Sequence, residues 1–106
     1  DPEQVAEHLA NELGAAGEMI AERMDENPYF REMVSMCHTS EGGSAMWETL
    51  FTEELDPDED LVAVEHLLDR LAAEARRIIK KAGHLTARSA RKLLRRVADE
   101  EGLDPD

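Results

Sequence analysis

The sequence has little of what builds disulfide frameworks, membrane spans or signal peptides. Cys37 is the only cysteine, so no internal disulfide can form, and we expect a cytoplasmic or recombinant protein and not a secreted one. No apolar run approaches the roughly 18 residues that a membrane span needs, and no signal-peptide pattern is present. These absences predict a soluble chain without a membrane partner.

Glycine, proline and aromatic residues are also few. The chain has six glycines, four prolines and four aromatic residues among 106 residues, and nothing repeats at a fixed period. This length predicts a single domain over residues 1–106, which buries about two-thirds of its unfolded surface.

Acidic residues are missing from one long stretch of an otherwise acidic chain. The net charge is −13, from 25 acidic and 12 basic residues, yet no Asp or Glu lies between Ala75 and Ala98. A large negative net charge repels nucleic acid at long range, whereas a local basic block can attract an anion or an acidic partner. Nine basic residues form this block, the basic stretch Arg76–Arg96: Arg76, Arg77, Lys80, Lys81, Arg88, Arg91, Lys92, Arg95 and Arg96.

The most regular apolar spacing predicts a long central helix from Asp56 to Ala82. Asp56 is placed as N-cap, Pro57 as the first helical residue and Glu59 as the capping-box partner. Gly83 is expected to end this helix. Other helices must cover the apolar stripe of this helix. The stripe consists of Leu61, Val64, Leu68, Leu71, Ala75, Ile78 and Ala82 and is widened by Leu67 and Ile79.

The preceding sequence predicts a first long helix with two stripes, beginning at the Asp1 cap and reaching Met24. One stripe is apolar, and the second is made of small residues that include Gly14 and Gly17. Glycine inside a helix costs up to about 1 kcal/mol relative to alanine, so a close neighbouring helix or a ligand cavity is expected beside it.

Three shorter helices complete the predicted fold. Asn27 caps one that runs to about His38, Ser44 caps one that ends at Leu55, and Thr86 caps one that runs to about Glu101. The Gly42-Gly43 loop separates the first two. We therefore predict an all-α, antiparallel helical bundle of about five helices, with four elements of which the second is broken at this loop.

Every aromatic residue and every sulfur atom lies in the first half of the chain. Met33, Cys37, Trp47 and Phe51 are predicted to wall a pocket, next to Gly14 and Gly17, for a small apolar ligand or a partner's helix. The alternative is that these residues fill an ordinary core. Met33 and Cys37 share a helix face, so a soft metal or a haem axial ligand is conceivable, although no motif indicates one.

Two polar features could carry catalysis. Glu54 is predicted to lie between Trp47 and Phe51, where desolvation would suit a general base and Trp47 could stack on a planar substrate. The alternative is that the helix frays and Glu54 faces water. His8 and Glu12 are one turn apart and form either a carboxylate-oriented histidine or an ordinary exposed pair. No residues have the spacing of a zinc, di-iron or calcium site, and the sequence leaves open whether the protein is an enzyme.

The basic stretch offers a third kind of site. The segment Ala82–Thr86 resembles the turn of a helix-turn-helix motif, but Ile79 stands where the motif has alanine and Ser89 where it has an apolar residue. With no aromatic residue interleaved, the pattern argues against nucleic acid. Contacts with an anion or an acidic partner are assigned to one helix face: Arg88, Arg91, Lys92 and Arg95.

Three functional hypotheses follow, in order of preference. The first is a binding module for a small apolar ligand or a helix, the second an enzyme that uses Glu54 and Trp47, and the third a regulator that uses the basic stretch. The repeated Asp-Pro helix starts and the Gly-Gly-Ser loop are typical of a designed bundle. The methionines, cysteine and histidines are not what a designer prefers, and an acidic, lysine-poor natural protein also fits the composition. Oligomeric state is left open.

Overall fold

The computed structural model describes residues 1–106 and is built of helices without strands. A continuous apolar core receives side chains from all of the helices and contains no buried charged residue. None of the helices combines the length and the apolar character needed to cross a bilayer. The bounds are α1 Pro2–Leu13, α2 Ala15–Glu26, α3 Pro28–Thr39, α4 Gly43–Thr49 with a π-helical turn Leu50–Glu54, α5 Leu61–Ala82 and α6 Ala87–Glu100.

The predicted first long helix is wrong, because the chain reverses at Gly14. This residue has φ 59° and ψ −129°, a conformation that residues with a Cβ rarely adopt. Helix α2 then packs on α1 so closely that a Cβ on Gly17 would overlap the carbonyl group of Leu9. At Gly17 the small-residue stripe therefore marks a close helix contact, as one of the two interpretations predicted, whereas Gly14 forms the turn. The chain has six α-helices where about five were expected.

Helix α3 begins as predicted, whereas α4 does not. The side chain of Asn27 accepts hydrogen bonds from the backbone N–H groups of Tyr29 (2.9 Å) and Phe30 (3.1 Å). At the other end the chain turns through Gly42, whose φ is 83°, and α4 starts at Gly43 with no side-chain cap. The predicted Ser44 cap is wrong, because its hydroxyl group is hydrogen-bonded to His38 instead.

Helix α5 begins at Leu61, four residues after Pro57, the predicted first helical residue. The segment Asp56–Asp60 closes a turn of its own, in which the Asp60 N–H donates to the Asp56 carbonyl (2.7 Å) and the Asp60 carboxylate accepts from the Asp56 N–H (2.9 Å). Leu61 is consequently 46% exposed and is not a core residue. The middle of the predicted stripe is buried: Val64, Leu67, Leu68, Leu71 and Ala75.

Helix α6 has the predicted bounds to within a residue. The Thr86 hydroxyl accepts from the Ser89 N–H at 3.0 Å, and the helix ends in a Schellman motif at Gly102, whose φ is 77°. In this motif the Leu103 N–H donates to the Ala98 carbonyl at 2.8 Å. The motif turns the last residues, Leu103–Asp106, back toward α6. We call these four residues the tail.

Candidate functional site

The outer face of α6 is a basic ridge. Its core-facing residues are apolar (Ala90, Leu93, Leu94, Val97 and Ala98), and three basic residues lie at i, i+4 and i+7 on the opposite face. These three are Arg88, Lys92 and Arg95, and all are exposed. Arg91 lies half-buried at one edge of the ridge, where it donates to the Glu41 carbonyl at 3.1 Å. We define the ridge as Arg88, Arg91, Lys92 and Arg95, the four residues that the sequence assigned to partner contact.

Only part of this positive charge is neutralised within the chain. Arg88 and Lys92 form no ion pair. Arg96, on the side of α6 that faces α5, contacts the Glu74 carboxylate at 3.2 Å. That carboxylate is also bonded to Arg77 at 2.8 Å, and the hydrogen bonds from Arg77 and then Arg96 lower the pKa of Glu74. Arg88 and Lys92 are therefore unpaired cations of the ridge. Between α5 and α6, by contrast, Arg77 and Arg96 are paired with the Glu74 carboxylate.

The tail supplies an internal ligand for the ridge. The Asp106 carboxylate receives two hydrogen bonds from Arg95, Nε to Oδ2 at 3.1 Å and Nη2 to Oδ1 at 2.9 Å. This pairing lowers the pKa of Asp106 and raises that of Arg95. Between the ridge and the tail lies an open cleft of about 790 Å³, which Lys92 and Arg96 also line. Pro105 is buried.

Glu54 makes a second contact with the tail. It is half-buried in the π-helical turn, and its carboxylate accepts a hydrogen bond from the Asp104 N–H. The structure thus gives Glu54 a positioning contact with the tail, which the sequence did not indicate. Its role as a catalytic base stays a prediction.

The predicted Met/aromatic pocket residues come together, but as packed core. Met33, Cys37, Trp47 and Phe51 are all buried, and the rings of Trp47 and Phe51 stack with centroids 5.9 Å apart. No surface cleft is lined by any of them, nor by Gly14 or Gly17.

One polar atom in this cluster is left without a partner. The indole N–H of Trp47 is buried beside the Cys37 sulfur but makes no hydrogen bond of ordinary geometry. Burial raises the pKa of the Cys37 thiol to about 11, against the opposing effects of Trp47, Arg91 and Arg95. The thiol is therefore protonated at neutral pH.

A polar cluster that the sequence did not reveal joins α1, α3 and α4. His8 forms no hydrogen bond with Glu12. Its ring lies against the ring of His38, with centroids 5.2 Å apart at an interplanar angle of 57°. Ser44 Oγ is 2.8 Å from His38 Nδ1. Burial, followed by the effect of His8, lowers the pKa of His38. These residues come from three helices, so no local spacing could have indicated them.

Comparison with protein-family models, with curated proteins and with solved structures gives no match for this chain.

Proposed function

We propose that the chain is a protein-binding module that docks an extended acidic segment of a partner along the α6 ridge. The proposal treats α5 and α6 as an antiparallel pair of a helical bundle, with the ridge on its outer side. The observation that supports it most strongly is the two-bond pairing of Arg95 with Asp106, in which a short acidic segment of this chain already lies on the ridge.

The spacing of the ridge sets the pattern of the partner. Arg88 and Arg95 are separated by seven residues of helix, or about 10 Å along its axis. An extended chain covers this distance in about three residues, and its alternate side chains face the same way. A segment with acidic residues at every second position could therefore place one carboxylate on Arg95 and others near Lys92 and Arg88. Asp104 and Asp106 of the tail have this alternate spacing.

An acidic protein suits the ridge better than a nucleic acid does. The net charge of −13 repels a polyanion at long range, and Asp99 and the tail carboxylates lie next to the ridge. No aromatic residue of the chain lies on α6 for a base to stack on. A short acidic peptide carries few charges and so meets much less of this repulsion.

Fluorescence anisotropy with a labelled peptide, Gly-Asp-Pro-Asp-Pro-Asp-Gly, tests the proposal. We expect saturable binding that weakens as NaCl rises from about 50 to about 200 mM. The Lys92→Glu variant should bind about tenfold more weakly, a change of about 1.4 kcal/mol. The matched control is Lys80→Glu, which makes the same charge change on a lysine that lies over Tyr29 of α3 and should bind like the wild type.

Three results would contradict the proposal. The first is an unchanged signal with the aspartates replaced by asparagine, and the second is equal weakening by Lys92→Glu and Lys80→Glu. The third is that a single-stranded DNA with the same number of charges binds more tightly than the peptide. This result would favour the hypothesis of a regulator that contacts nucleic acid through the basic stretch.

A second candidate is the small apolar ligand in the Met/aromatic cluster. The observation that favours it is the buried Trp47 N–H, whose only neighbouring acceptor is the weakly accepting Cys37 sulfur, since a ligand oxygen could satisfy this donor better. Binding would require the packed side chains to separate. Titration with indole-2-carbaldehyde, an apolar probe with one acceptor, should quench Trp47 fluorescence and stabilise the fold. Under this hypothesis, the Trp47→Phe variant stays folded but is no longer stabilised by the probe. If the probe does not stabilise the wild type, binding of ligands of this class in the cluster is excluded.

A further inference from the structure

The imidazole pair of α1 and α3 shares no residue with the α6 ridge. His8 is exposed and His38 is half-buried, so both rings are within reach of solvent. With ring centroids 5.2 Å apart, the two imidazoles are close enough for a single ion to contact both after small rotations about their side-chain bonds.

We propose that His8 and His38 together bind one divalent transition-metal ion of the imidazole-preferring group, Ni²⁺, Cu²⁺ or Zn²⁺. Neutral imidazole is a common ligand of all three ions. No three His, Cys, Asp or Glu side chains converge anywhere in the chain. The protein therefore supplies two ligands, and water completes the coordination shell.

Ser44 prepares one of the two ligands. Metal-ligating histidines commonly use their second ring nitrogen for a hydrogen bond that fixes the ring and its tautomer. Ser44 Oγ, 2.8 Å from His38 Nδ1, can accept the proton of that nitrogen. In that tautomer the lone pair of Nε2 is left for the ion. Ser44 is thus a positioning residue and does not contact the metal.

The position of His38 at the end of its helix favours a bound cation. His38 is in the last turn of α3, where the negative end of the helix dipole lies.

Isothermal titration calorimetry with NiCl₂ at pH 7.5 tests the site. We expect one ion per chain, with affinity reduced at least about tenfold in both His8→Gln and His38→Gln, because each removes one of two ligands. Ser44→Ala should weaken binding by a smaller factor. The matched control is His84→Gln, which removes an exposed imidazole from the turn after α5 and should bind like the wild type.

A second measurement needs no variant. In ¹⁵N NMR spectra, substoichiometric Ni²⁺ should broaden the amide signals near residues 8, 38 and 44 first. The proposal is overturned if the wild type does not bind Ni²⁺, if only one of the two histidine variants is affected, or if broadening centres on His66 or His84. This test is independent of the acidic-segment proposal, since none of the ridge residues is involved.

Discussion

The carbonyl oxygen of Leu9 occupies the space that a Cβ at position 17 would need, so Gly17 is the contact point of α1 and α2. Helices usually approach to 8–10 Å, and a contact between the backbones themselves requires a residue without a side chain. This relationship explains why a glycine is retained inside a helix despite its unfavourable propensity.

Replacement of Gly17 by alanine is expected to separate α1 from α2 and lower the free energy of unfolding by about 1–3 kcal/mol or more. Urea denaturation measures this change. The control is Gly102→Ala, since a Cβ there meets no atom within 4 Å and only the positive φ of 77° is unfavourable. We expect the control to lose about 1–2 kcal/mol. Equal stability of Gly17→Ala and the wild type would contradict the close contact.

Local signals in the sequence predicted some helix ends and missed others, for a physical reason. Asn27 and Thr86 cap their helices through hydrogen bonds to residues two or three positions ahead, so the signal and the structure are both local. The reversal at Gly14 is different, because an apolar stripe continues across it and the turn is stabilised by contacts of α2 with α1. Asp56 has the features of a cap, but the carboxylate of Asp60 closes a competing turn.

The candidate sites also include one that a local sequence signal predicts and others that depend on contacts between distant residues. The α6 ridge could be predicted because its basic residues recur at helical spacing on a single element. The tail contact could not, since Asp106 is 11 residues from Arg95 and reaches it only through the Schellman turn. His38 and Ser44 depend on the turn through Gly42, which brings α4 back beside the end of α3.

Cys37 provides a measure of how closed the Met/aromatic cluster is. With a pKa of about 11, the thiol should be almost wholly protonated at pH 8. Its reaction with a disulfide reagent should be at least about 100-fold slower than in denaturant, where the thiolate fraction is much larger. Absorbance after addition of the reagent gives the rate. A native thiol that reacts as fast as the denatured one would contradict the packed cluster.

The His38 environment predicts a pH dependence of stability. Its pKa in the folded chain is below the ordinary value of 6.5, so the unfolded state binds more protons between the two values. Stability should therefore fall as pH decreases from about 7.5 through this window. The loss of stability should be smaller in His38→Gln. This variant keeps His8 but lacks the His38 imidazole, which takes up a proton when the chain unfolds. Thermal unfolding at several pH values measures the difference, and His84→Gln should retain the wild-type dependence; identical profiles for wild type and His38→Gln would refute the assignment.

The tail should compete with an acidic partner for Arg95. In Asp106→Asn the two-bond ion pair is lost, so the labelled aspartate peptide should bind more tightly than it binds the wild type. The melting temperature should hardly change because the pair is exposed. Asp58→Asn makes the same charge change in the turn before α5 and serves as control. If Asp106→Asn and Asp58→Asn increase the peptide affinity equally, the increase comes from the change in net charge and not from loss of the Arg95–Asp106 pair.

The most direct test of the central claim is a ¹⁵N NMR titration of the wild-type protein with the unlabelled aspartate peptide at about 150 mM NaCl, where long-range attraction is screened. If the α6 ridge is the docking surface, the largest shifts should come from Arg88, Lys92 and Arg95, together with Asp106 as the tail is displaced. Shifts spread evenly over all the basic residues, or no shifts at this salt concentration, would contradict the account.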